Sequence, residues 1–141
     1  MQTMWGKYLQ RHPPSESEVH ELKFTRTGRL SFDAVKEHQI SALLEASETF
    51  LYHKITDQTW GTNPKHRFTF KKPFDSFCVV GVKAYVVMWF YIPRTKKKFI
   101  KMTIKKFLEL QRTLPRKSLT EKIAKEYGEV IPIECKEWRK L

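Results

Sequence analysis

Glu21, Leu22 and Lys23 lie in a stretch, Val19 to Thr25, that alternates as a half-buried strand does. Leu22 and Phe24 point one way, and Val19, Glu21, Lys23 and Thr25 the other. Alternation therefore puts a carboxylate and an ammonium on one strand face, ~6.6 Å apart along the chain. A carboxylate so placed can bind a hard divalent cation such as magnesium. The neighbouring ammonium can orient a water and stabilise charge that builds on a phosphate. Exposed strands also carry Glu-x-Lys pairs that do no chemistry, so the surrounding residues must decide.

Gln39 is the first of these. A helical pattern runs from Ser31 to Ser47, with Ser31 as its cap and Phe32, Val35, Ala42, Leu43 and Ala46 as its buried stripe. Gln39 falls on that stripe, whereas His38, Ser41 and Glu45 fall on the polar side. A glutamine facing a sheet must find hydrogen-bond partners. These are either a metal-bound water or the Lys23 side chain, or else backbone at the edge of the stripe.

Asp75 is the second. It follows Pro73 at the start of a strand, and its carboxylate suits either a metal or a turn before that strand. No Asp precedes residue 33, and the only acids upstream of Glu21 are Glu16 and Glu18. Their even positions place them on the opposite strand face from Glu21. Five histidines are scattered without metal-binding spacing.

The third is charge. Lys and Arg total 27 against 15 Asp and Glu, a net charge of +12. Residues 93–141 carry 15 basic and 6 acidic side chains, a net of +9. A localised positive field of this kind favours a polyanion, because each neutralised phosphate releases counterions. The candidate contacts are Lys96, Lys97, Lys98, Lys101, Lys105, Lys106, Arg116 and Lys117 in the tail. Lys65, Arg67, Lys71 and Lys72 lie in a loop beside Asp75. Trp60 in that loop is either a stacking residue or an anchor.

The elements that must position these groups follow from pattern. The 141 residues suit one domain, with residues 1–18 as an N-terminal arm and 19–141 as the domain, its C-terminal part basic and helical. In the arm, Met4, Trp5, Tyr8 and Leu9 allow one short docking turn before Pro13 and Pro14. Strands are expected at Phe50 to Ile55, Phe74 to Val80 and Ala84 to Ile92, the last two joined by a tight turn at Gly81. The stretch from Ala84 to Ile92 does not alternate, which marks a central strand covered on both faces. Lys96 to Met102 reads as an edge strand and Thr103 to Arg112 as a helix. Ser118-Leu119-Thr120-Glu121 reads as a capping box for a last helix that Gly128 stops. The class is α/β, a mixed central sheet flanked by helices.

Composition also excludes. The apolar run from Ala84 to Ile92 is far short of a spanning helix, and the N-terminus lacks the apolar stretch of a signal peptide. Cys78 and Cys135 form neither a disulfide framework nor a zinc cluster, and Cys78 is expected to pack as a small hydrophobe. A reducing, cytoplasmic location without membrane contact is the expectation.

The segments Glu21-Leu22-Lys23-Phe24-Thr25, Leu30-Ser31-Phe32 and Glu37-His38-Gln39-Ile40 together resemble the RecU-type Holliday junction resolvases of the PD-(D/E)xK nuclease superfamily. Lys72-Pro73-Phe74-Asp75 and Ser118-Leu119-Thr120-Glu121 look like motifs of small phage-encoded members, which extends the resemblance over most of the chain. It implies a nuclease-like fold and a homodimer that cuts branched or double-stranded DNA with Mg2+ or Mn2+. Carried over, Glu21, Lys23, Gln39 and Asp75 would be catalytic, with Glu21 and Asp75 on the metal. That family ordinarily supplies its second acid as an aspartate upstream of Glu-x-Lys, where this chain has no Asp, so Asp75 is its substitute. The rival expectation is a catalytically degenerate nucleic-acid-binding protein on the same fold.

Overall fold

The computed structural model describes residues 1–54, 76–94 and 96–133. Helix α1 spans Gln2–Arg11, strand β1 Glu18–Thr25 and strand β2 Arg29–Ser31. Helix α2 (Glu37–Glu48) leads into β3 (Phe50–Lys54), with β4 (Ser76–Val80) and β5 (Lys83–Phe90) beyond it. The chain continues through β6 (Lys98–Thr103), α3 (Ile104–Thr113), β7 (Ser118–Thr120), α4 (Glu121–Tyr127) and β8 (Glu129–Pro132).

The main sheet has the order β1-β5-β6-β8. β1 runs parallel to β5, while β6 is antiparallel to both β5 and β8, so the sheet is mixed. The α/β class is as the sequence pattern indicates. β5 is the central strand, and Val86, Val87 and Met88 are wholly buried. Successive residues of β5 serve opposite cores. Ala84, Val86, Met88 and Phe90 join Ile100, Met102 and the apolar faces of α2, α3 and α4. Val87 and Trp89 join Leu22, Phe99, Ile131 and the α1 residue Trp5. Each fully buried large side chain stabilises the fold by about 1.5–3 kcal/mol relative to exposure. Among the described residues, no helix is long and apolar enough to cross a membrane.

Several elements differ from the sequence expectation, each for a tertiary reason. The arm holds more than one short docking turn: ten residues form α1, whose Trp5 is 3% exposed and stacks on Tyr8 at 5.2 Å between ring centroids. The pattern from Ser31 to Ser47 is not one helix. Arg29–Ser31 pairs with Ser118–Thr120, the Phe32 N–H donates to the Lys117 carbonyl, and Phe32–Ala34 is a single 3-10 turn. α2 starts only after Lys36. Phe32 and Val35 are still buried, because the turn keeps them facing the core. For the same reason Ser118 is no cap: it lies in β7, and the Thr120 hydroxyl accepts from the Ile123 N–H instead.

β6 is not an edge strand, since β8 pairs with it from Lys98↔Pro132 to Lys101↔Glu129. β4 pairs with β3, not with β5 across the Gly81 turn. Cys78 is exposed on that small ribbon and is not packed as a hydrophobe. Cys135 lies outside the described residues.

Gly128 ends α4 where the chain doubles back against β6. A Cβ there would sit 2.7 Å from the Ile100 side chain and 2.8 Å from the Ala124 carbonyl oxygen. One of these neighbours is backbone, so the strand or the helix end must move. Gly128→Ala should lower the unfolding free energy by about 1–3 kcal/mol. The check is a urea titration in which the midpoint falls at unchanged slope.

Candidate active site

β1 delivers Glu21 and Lys23 to the face covered by α2, at register positions opposite Val86 and Met88. The first turn of α2 arrives above them. Gln39 is the third residue of that helix, and its side chain turns back on the helix start: its Oε1 accepts from the Lys36 N–H at 2.9 Å. This contact aims the amide at β1. Gln39 Oε1 also accepts from Lys23 Nζ at 2.8 Å, and Gln39 Nε2 donates to Glu21 Oε1 at 2.9 Å. Lys23 Nζ stands 3.0 Å from the same Glu21 oxygen, which closes a triangle of three side chains.

Of the partners expected for Gln39 from sequence, Lys23 and backbone thus occur together in one amide. The Lys23 and Glu21 side chains are 15% and 25% exposed, open enough for solvent or substrate to reach them. Both partners of Glu21 use Oε1. Among the described residues Oε2 takes no hydrogen bond, so a hard-cation ligand stays available there. His38 is exposed.

The remaining expected residues divide by location. Asp75, Lys65, Arg67, Lys71, Lys72 and Trp60 lie outside the described residues. Among the described residues, no group of three or more His, Cys, Asp or Glu side chains stands close enough to hold a metal ion. Lys96, Arg116 and Lys117 are exposed, and Lys97 is half-buried. Lys98 pairs with Glu121 at 3.1 Å, Lys105 with Glu48 at 3.0 Å and Lys106 with Glu109 at 2.9 Å. Lys101 points to the α1 face, where its ammonium is committed to both oxygens of Glu18, at 2.9 and 2.7 Å.

That pair belongs to a second polar cluster that sequence reasoning missed. His20 Nε2 donates to Glu18 Oε2 at 2.8 Å, and Lys101 Nζ lies 4.1 Å from the centre of the Tyr85 ring. The Trp5 ring meets His20 edge-on at 5.3 Å. The signal was present in alternation: Glu18 and His20 share the strand face opposite Glu21. What no local pattern shows is that Lys101 arrives from β6 and Trp5 from α1.

Burial pulls the His20 pKa below its ordinary value, and this outweighs the hydrogen bond to Glu18, which would raise it. Burial acts to raise Glu18, but the hydrogen bonds from Lys101 and His20 prevail and hold its carboxyl below the usual range.

No family model, curated protein or solved structure matches this chain.

The two shifts act in the same direction on stability. A folded state that refuses a proton at His20 is fully stabilised above about pH 6.5 and loses that contribution as pH falls, because the unfolded chain then binds the proton. Glu18 contributes above about pH 4.5 and is lost below it by the same linkage. Urea midpoints should therefore decline from about pH 6.5 downward. His20→Gln should flatten the upper part of that decline and leave the lower part. An unchanged profile in the variant would remove His20 as its source.

Proposed function

We propose that this chain is a metal-dependent, structure-selective DNA endonuclease acting on branched DNA such as Holliday junctions, on a PD-(D/E)xK-type fold and as a homodimer. The observation that carries this reading is the triangle of Glu21, Lys23 and Gln39. A strand supplies a carboxylate and an ammonium two residues apart, and a helix start supplies the amide that holds both. The mixed sheet with a helix between two parallel strands accords with it, as does the net charge of +12.

The residues present fit a hard cation in part. Glu21 keeps one carboxylate oxygen unengaged, and Asp75 is the second acid that the sequence offers. The bound metal would supply a Lewis acid for the phosphate and a water of lowered pKa. The chain's own residues do the rest. Lys23 offers a cation to the charge that grows on the phosphate, and Gln39 fixes Lys23 and Glu21 relative to each other. Symmetric incision of two strands calls for two copies of the site.

A second reading, a nucleic-acid-binding protein without catalysis, is favoured by one observation. Among the described residues Glu21 is the only carboxylate in the triangle, and no group of three or more His, Cys, Asp or Glu side chains gathers to hold a metal.

Cleavage of four-way junctions with and without magnesium separates the two. Glu21→Gln should abolish cleavage while junction binding persists, because the amide keeps the shape and loses the charge that a hard cation needs. Lys23→Ala should behave similarly, and Asp75→Asn should raise the magnesium needed for cleavage or stop it. Full activity in Glu21→Gln would overturn the nuclease reading.

Binding should be salt-dependent and nearly indifferent to sequence, since lysine and arginine contacts to phosphate carry no base information. Replacing Lys96, Arg116 and Lys117 together by Ala should flatten the slope of log affinity against log salt by up to about 3. The slope itself is the measurement, and its constancy would take these exposed charges out of the interface.

A further inference from the structure

At the carboxyl end of β1 and β5, three aromatic rings meet on the α1 face of the sheet. Phe24 and Trp89 meet edge to face at 5.2 Å, Trp89 and Tyr91 at 5.8 Å, and Phe24 and Tyr91 at 6.3 Å. With Met1 and Arg26 they line an open cavity of about 530 Å³. Phe24 is 44% exposed, unusual for a phenylalanine at the mouth of a core. Exposed cations surround the same end of the sheet: Arg26 just after β1, Arg94 after β5 and Lys96 before β6.

We propose that this cavity is a stacking site for an unpaired nucleobase, with Phe24 and Tyr91 against the base and Arg26 toward its phosphate. Flat rings accept any base on its π face, so such a site selects unpaired strands without reading sequence. The surrounding charge fits a polyanion and disfavours a purely apolar occupant.

The inference deepens the nuclease reading and rests on it for its placement. Among the described residues β1 pairs only with β5, which makes it the last strand on that side of the sheet. Phe24 follows Lys23 in sequence but points to the opposite face, roughly 10 Å along the strand from Glu21. A DNA strand that crosses this edge with a phosphate at Lys23 brings a neighbouring base over Phe24. Fully paired duplex cannot offer that base without unstacking it, which costs a few kcal/mol. The pocket would thus give a nonspecific phosphate site its preference for open or branched DNA.

The test is equilibrium binding of the full chain, without divalent metal, to a fluorescent oligo-dT strand and to a blunt duplex of equal length. Phe24→Ala should weaken oligo-dT binding about tenfold or more, in line with the loss of one stacked base, and leave duplex binding unchanged. Tyr91→Ala should act in the same direction, and Phe24→Trp should retain wild-type affinity. As a second readout, oligo-dT carrying one 5-iodouracil should photocrosslink to Phe24, Trp89 or Tyr91.

Wild-type affinity of Phe24→Ala for oligo-dT would overturn the proposal, as would an equal loss on both DNAs or crosslinks found only elsewhere. So would a Phe24→Ala variant that turns a dimer into a monomer at unchanged oligo-dT affinity, which would make the pocket a contact between copies. A wild-type chain that binds neither DNA would overturn the nucleic-acid reading together with the pocket. One that binds both DNAs but cuts no junction would overturn only the nuclease reading, and the Phe24→Ala result would still decide the pocket.

Discussion

Val86 and Val87 are neighbours in β5, both wholly buried, and they point into opposite cores. That is possible only because β5 has β1 on one side and β6 on the other, with helices over both faces of the sheet. The pairing of β1 with β5 runs unbroken from Glu18↔Lys83 to Thr25↔Phe90. It fixes the register of every polar side chain on β1. A slip of one residue would turn Glu21 and Lys23 toward Trp5 and bury Leu22 and Phe24 under α2. Apolar packing of the central strand therefore decides where the chemistry-bearing groups lie.

The same alternation places two polar clusters back to back on one strand. On the α2 face, Glu21, Lys23 and Gln39 hold one another and remain reachable. On the α1 face, Glu18, His20 and Lys101 are almost closed off, with side chains about a tenth exposed. The physical difference is the cover. The first turn of α2 meets β1 with a polar residue, whereas α1 brings Trp5 and its aromatic neighbours. The buried cluster works as a tie between β1 and β6, since Lys101 reaches across Tyr85 of the intervening β5 to Glu18. Removal of Glu18 or Lys101 alone would leave the other charge without its ionic partner in this nearly closed setting, a strongly destabilising change.

Gln39 shows how a helix end and a candidate site share one residue. Its amide satisfies a backbone N–H that the helix start would otherwise leave unmet, and the same oxygen accepts from Lys23. Local capping thus supplies the orientation, and the strand supplies the charges. A glutamine in mid-helix could reach β1 but would have no second anchor. The break after Ser31 therefore matters to the site: by starting α2 at Glu37 it turns Gln39 from a stripe residue into a capping one.

Several features of this protein were legible in the order of residues. Alternation from Val19 to Thr25 assigned faces to Glu21, Lys23 and Glu18, because side-chain period depends on the backbone alone. The unbroken apolar stretch in β5 marked a strand buried on both sides, and Thr103 to Arg112 read as the helix that α3 forms. The Gln39–Lys23 contact was among the alternatives that residue chemistry allowed. Tertiary structure decided the rest, wherever distant segments competed with local preference. Pairing with residues 118–120 pulled Arg29–Ser31 out of a helix and moved the cap from Ser118 to Thr120. β8 converted β6 from an edge to an interior strand, and a core under α1 took in Trp5. Lys101 looked like one more surface lysine, and only the fold gave it Glu18. Its sequence neighbours carry no sign of a partner 83 positions away, because the pairing depends on two strands meeting in space across a third.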